Sequence, residues 1–199
     1  MKMKTVTVSY NVYQYMELSD KAKEVAKQWY LDGQEACFFT EMVEEDLSYI
    51  LPESDLKVTY SLGYCQGDGL AIYGSLNLLD VLNQVKENFT EKEVKFLKWV
   101  LSEYTANVEI SCPYRYPHVN YHEVGFVDEF WSLMEYDRLK NVPWKVLERF
   151  DSIVSEYMDD LCAQYEKWGY SYFYEVDDET MEDMCSANDY WFTEDGKIA

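Results

Sequence analysis

Histidine is nearly absent from this 199-residue chain, with two residues, and proline and glycine are sparse at four and eight. Two histidines leave little imidazole chemistry to distribute, and few breakers leave room for long regular elements. The five cysteines are widely spaced and form no CxxC pair, so neither a zinc site nor a disulfide framework follows. No apolar run approaches the roughly 18 residues that cross a bilayer. Residues 1–10 alternate polar and apolar side chains and hold no apolar core of a secretion signal, so a reduced cytoplasm without membrane contact is the expected setting. There is no GK[ST] after a glycine-rich loop, no GxGxxG opening a helix and no GxSxG elbow.

Positive charge is also scarce. Seventeen Lys and Arg face 38 Asp and Glu, for a net charge of -21 and a pI near 4.3. Such a chain repels phosphate backbones, so direct nucleic-acid binding is not expected; it attracts basic protein surfaces. From Asp151 onward fourteen carboxylates meet only Lys167 and Lys197, which puts over half of the net charge in the last quarter. What is abundant is aromatic: 17% of the chain, including 19 tyrosines, with 48% hydrophobic residues overall. That composition belongs to a folded domain, not to a disordered acidic tail.

Residues 5–15 alternate with a period of two and predict a strand. Ser19 is placed to cap a helix carrying Ala22, Val25, Ala26, Trp29 and Tyr30, with Gly33 as a left-handed stop. A second helix is predicted over 38–50. Two alternating runs, 56–65 and 70–76, flank Gln66-Gly67-Asp68-Gly69, and Asp-Gly between such runs predicts a hairpin turn with positive φ. Helices follow over 78–88 and from Thr90, where Thr90 and Glu93 fit a capping box. Strands are predicted over 108–112 and 119–127, linked by Pro113-Tyr114-Arg115-Tyr116-Pro117. A long amphipathic helix, with Leu147, Phe150, Val154, Tyr157, Leu161, Tyr165 and Trp168 in its stripe, spans 143–168 and ends at Gly169. An apolar run over 170–176 and a short acidic helix over 178–185 complete the chain. Hairpins outnumber βαβ crossovers, so the expected fold is a single α+β domain over 1–199: an antiparallel sheet with a hairpin at 56–76, packed against several amphipathic helices.

Three constellations are candidates for function. In the turn Gln66-Gly67-Asp68-Gly69, either the glycines admit a ligand, with Asp68 as acid, base or metal ligand, or the run is only the hairpin's own turn. On a strand, His118 and His122 share a face and could pair with Asp68 to bind a metal or to cleave RNA; as HxxxH on a strand they lack the helical zinc geometry. No metal or cofactor is assigned. The third candidate is the acidic surface: Glu41, Glu44, Glu45 and Asp46 on the second helix, then Asp159, Asp160, Asp177, Asp178, Glu179, Glu182 and Asp183 toward the end. Carboxylates on helices can copy the phosphates of a duplex and occupy a basic channel, or can be plain solvated faces.

Three stretches resemble a widespread phage and prophage family of small acidic proteins: Leu18-Ser19-Asp20-Lys21-Ala22-Lys23, Tyr64-Cys65-Gln66-Gly67-Asp68-Gly69, and residues 187–196, Ala-Asn-Asp-Tyr-Trp-Phe-Thr-Glu-Asp-Gly. Residues 114–122, rich in Arg, Tyr and His, resemble a further family segment. Cys65 stands where a serine is common, which argues against a required hydroxyl there. Some such proteins are labelled antitoxins and some similar small acidic phage proteins are anti-CRISPRs. The resemblance therefore implies an inhibitor of a host defence nuclease such as a Cas effector. The alternatives are an RNA-cleaving enzyme using Asp68, His118 and His122, and an antitoxin that neutralises a basic toxin. The family brings no established catalytic residues.

Overall fold

The computed structural model describes residues 9, 11–103, 107–111 and 143–199. The fold is α+β. After a 3-10 turn at Tyr15–Glu17 come α1 (Asp20–Asp32) and α2 (Ala36–Ile50), then β1 (Asp55–Ser61) and β2 (Gly69–Asn77). They are followed by α3 (Leu78–Val85), α4 (Glu91–Glu103), β3 (Asn107–Ile110), α5 (Trp144–Tyr174) and α6 (Asp178–Ala187). The sheet is antiparallel in the order β1-β2-β3. Its register runs from Asp55 opposite Ser75 to Ser61 opposite Gly69, and from Gly74 opposite Ile110 to Asn77 opposite Asn107.

Helix starts follow local capping chemistry. The Ser19 hydroxyl accepts from the Ala22 N–H at 3.4 Å, and the Asn77 side chain accepts from the Leu79 N–H at 2.9 Å. Thr90 and Glu93 form the expected box: the Thr90 N–H donates to Glu93 at 2.8 Å and the Glu93 N–H donates to Thr90 Oγ1 at 3.4 Å. Each such cap satisfies an orphan donor and contributes about 1 kcal/mol.

Contacts divide the chain into two compact units. The larger, Ala36–Gly169, holds the sheet, α2, α3, α4 and α5 through Gly169. Its core takes Phe39, Val43 and Leu47 from α2, Leu56 and Val58 from β1, Ala71, Ile72 and Leu76 from β2, and Leu147, Phe150, Val154 and Met158 from α5. The other unit comprises the described residues through Glu35 and from Tyr170 on. Its core is Tyr15, Leu18, Ala22, Ala26, Met181, Cys185 and Phe192. Phe192 exchanges backbone hydrogen bonds with Tyr13 at 2.8 and 2.9 Å and also bridges to Ile198.

Several local expectations give way to packing. Gly33 caps α1 with φ -85, in the right-handed region, so no left-handed stop forms there. Gly169 does not end α5, which continues to Tyr174 and absorbs most of the separate run predicted at 170–176. A Cβ at Gly169 would strike the Leu62 side chain and press on the Phe39 ring, so close approach explains the glycine. The hairpin forms, but its positive φ values fall at Tyr64 and Gly67; Gly69 already begins β2. β1 therefore stops at Ser61, short of the predicted residue 65. Among the described part of 5–15 there is one antiparallel bridge, at Tyr13, before the 3-10 turn. The strand predicted over 119–127 and the link before it lie outside the described residues.

Candidate functional site

The Gln66-Gly67-Asp68-Gly69 run lies in the β1–β2 connection. Asp68 is buried, at 5% exposure. Its carboxylate accepts from the Gly63 N–H at 2.6 Å, the Cys65 N–H at 2.8 Å, the Ser61 hydroxyl at 3.1 Å and the Cys65 thiol at 3.3 Å. The Cys65 N–H bond, then that from Gly63, holds the Asp68 carboxyl well below the usual carboxylate range against the opposing effect of desolvation. The Cys65 thiol is pushed up, first by donating to Asp68. Both Asp68 oxygens thus fasten their own loop, an arrangement that stabilises a turn and keeps the group ionised. His118 and His122 lie outside the described residues. Among the described residues no group of three or more His, Cys, Asp or Glu is placed to hold a metal ion.

The acidic positions separate into two kinds. On α2, Glu44 accepts from Lys57 at 3.3 Å and from the Val58 N–H at 3.4 Å, tying the helix to β1. Asp46 accepts from the Tyr165 hydroxyl at 2.7 Å. Burial and that bond push the Tyr165 phenol upward. Glu41 and Glu45 are exposed, as is Asp160, while Asp159 is half-buried.

In the smaller unit, Asp177 caps α6 by accepting from the Thr180 N–H at 2.7 Å, which holds its carboxyl low. Asp178 accepts from Lys27 at 2.6 Å, from the Tyr15 hydroxyl at 2.8 Å and from Lys23 at 3.3 Å. Lys23 also stands 5.2 Å over the Tyr15 ring. This clamp ties the 3-10 turn and α1 to the start of α6. Glu179, Glu182 and Asp183 differ: all three are exposed, and they hold no hydrogen bond or ion pair among the described residues. Their spacing of three and four residues puts them on one helical face. α6 therefore starts with two engaged carboxylates, Asp177 and Asp178, beside an acidic face with no ion pair among the described residues.

The clamp predicts a pH dependence. Lys27, then Tyr15, lowers the Asp178 carboxyl from 3.8 to about 2. A depressed carboxylate stabilises the fold fully above its ordinary value, and that contribution is lost as pH falls through its folded value. The difference in thermal midpoint between the native chain and Asp178→Asn should be constant above about pH 5 and vanish toward about pH 2. Taking the difference cancels the titration of the other carboxylates. A gap unchanged at low pH would remove the ionic clamp.

Two features escaped the sequence reading. Asp80 is buried at 6% and accepts from the Glu53 N–H at 2.8 Å and the Ser54 hydroxyl at 3.1 Å, bracing the turn after α2. A lone acid among Leu78, Leu79, Val81 and Leu82 was its available signal. The other is a cleft at the C-terminal tail, taken up below. No helix among the described residues is long and apolar enough to cross a membrane.

Comparison with protein-family models, with curated proteins and with solved structures returns no match. The class that the structure defines is an α+β protein whose smaller unit presents an exposed acidic helix face with no ion pair among the described residues.

Proposed function

We propose that this chain is a phage-encoded, anti-CRISPR-like inhibitor of a host defence nuclease, acting in the host cytoplasm by covering a basic nucleic-acid-binding surface. The observation that carries the reading is the open acidic face of Glu179, Glu182 and Asp183, exposed and without an ion pair among the described residues. A partner's lysines and arginines supply the missing counter-charge, and the net charge of -21 steers the encounter. Blocking requires occupancy and no turnover. The Asp68 loop supports this reading in one respect: its carboxylate is already engaged within the turn.

The test is target-DNA binding by purified, guide-loaded Cas effectors, measured with increasing amounts of this protein. Inhibition should saturate near one inhibitor per effector and weaken as salt rises from about 0.05 to 0.3 M. Replacing Glu179, Glu182 and Asp183 together by Lys should abolish it. DNA binding untouched by excess protein across effectors of several types would overturn the proposal. Inactivation of many guides by one molecule would replace it with RNA cleavage.

A further inference from the structure

The tail stretch at residues 187–196 builds more than a core plug. Phe192 is fully buried, but its neighbours Tyr190 and Trp191 are 36% and 37% exposed, and Met16 of the 3-10 turn is 49% exposed. These side chains, with Tyr15, Glu182 and Asp189, line a cleft of about 150 Å³. Tyr190, Trp191 and Met16 give the cleft partly open ring and thioether surface beside its polar groups. Among the described residues the cleft's charges are both negative, from Glu182 and Asp189, and no basic side chain lines it. Asp189 accepts from the Trp191 indole N–H at 3.0 Å and so orients that ring. Glu182 has no partner among the described residues.

We propose that this cleft is an anchor pocket for an arginine side chain of a basic protein partner. The chemistry selects the occupant. An anion would meet two carboxylates, and an apolar group would strip water from Glu182 without replacing its hydrogen bonds. A guanidinium satisfies both demands. Its flat face stacks on the Trp191 or Tyr190 ring, and its fork of N–H donors matches a carboxylate. An ammonium supplies the charge without the plane. Outside the lining, Lys23 Nζ sits 3.7 Å from Met16 Sδ and over the Tyr15 ring. That lysine is paired with Asp178 and makes no ion pair with Glu182.

The inference shares with the proposed function only the sign of the partner's charge. Its test uses deca-arginine and deca-lysine peptides of equal charge, titrated calorimetrically into the full chain at about 0.15 M salt. General acidity binds both alike, so the ratio of the two affinities is the readout. The native chain should prefer deca-arginine by about 10-fold. Glu182→Gln and Trp191→Ala should each remove most of that preference. Glu179→Gln, on the same helix outside the cleft, should weaken both peptides equally. Glu182→Gln breaks no bond among the described residues, so its circular dichroism should match the native chain even if Trp191→Ala is less stable. Equal native affinities, or a preference that survives Glu182→Gln, would overturn the pocket. An arginine preference without nuclease inhibition sinks the nuclease reading alone; inhibition without the preference sinks the pocket alone.

Discussion

Phe192→Ala should destabilise the smaller unit by about 3–5 kcal/mol, the usual loss for a large aromatic removed from a sealed core. Phe192 is at 0% exposure and meets Tyr15 and Trp29 edge-on, with ring centroids 6.4 and 5.9 Å away. Those contacts join the 3-10 turn and α1 to the tail, which is held besides by the bridge to Tyr13, the Trp29–Tyr190 ring contact at 5.3 Å and the seat of Gly196 against α1. A Cβ at Gly196, where φ is +84, would run into the Ala22 backbone, so the tail cannot shift to refill the hole. Chemical denaturation followed by tryptophan fluorescence reads the loss, since Trp29 and Trp191 both report from this unit. A change below about 1 kcal/mol would show that the tail is not part of the folded core.

Gly169→Val separates local from tertiary logic by sign. Helix propensity alone favours any ordinary residue over glycine inside a helix, by a few tenths to about 1 kcal/mol. The structure demands the opposite. The Gly169 backbone packs against Leu62 and against the Phe39 ring, which is itself wedged edge-on between Tyr60 and Trp168 at 5.1 and 5.5 Å. Phe39 is at 0% exposure and has no room to retreat. Overpacking at such a site costs about 1–3 kcal/mol. Valine should therefore lower the denaturation midpoint of the larger unit, and a stabilised variant would refute the close packing.

Much of the secondary structure was legible because its causes are local. Ser19, and Thr90 with Glu93, each satisfy a helix-terminal N–H within three residues, so these caps could be read directly, whereas Asp177, read as part of the acidic surface, caps α6. The stripe of Leu147, Phe150, Val154 and Leu161 is buried as its period requires. The hairpin was legible as a pairing but not as a turn. Asp68 next to Gly69 suggested a two-residue reversal, yet Asp68 instead collects donors from Ser61, Gly63 and Cys65, and a longer connection folds around it. Gly169 read as a stop because a glycine required for close approach and a glycine ending a helix look alike in one dimension.

The sequence by itself determined the α+β class, the helix starts, the buried stripes and the excess of negative charge, since these depend on composition and on neighbours a few residues apart. Only the tertiary structure decided which carboxylates are satisfied internally and which remain open. Asp178 meets Tyr15 across 163 residues and Asp46 meets Tyr165 across 119, whereas Glu179, Glu182 and Asp183 face outward. A carboxylate's role depends on the donors that the fold brings within about 3 Å, and no pattern along the chain encodes those distances.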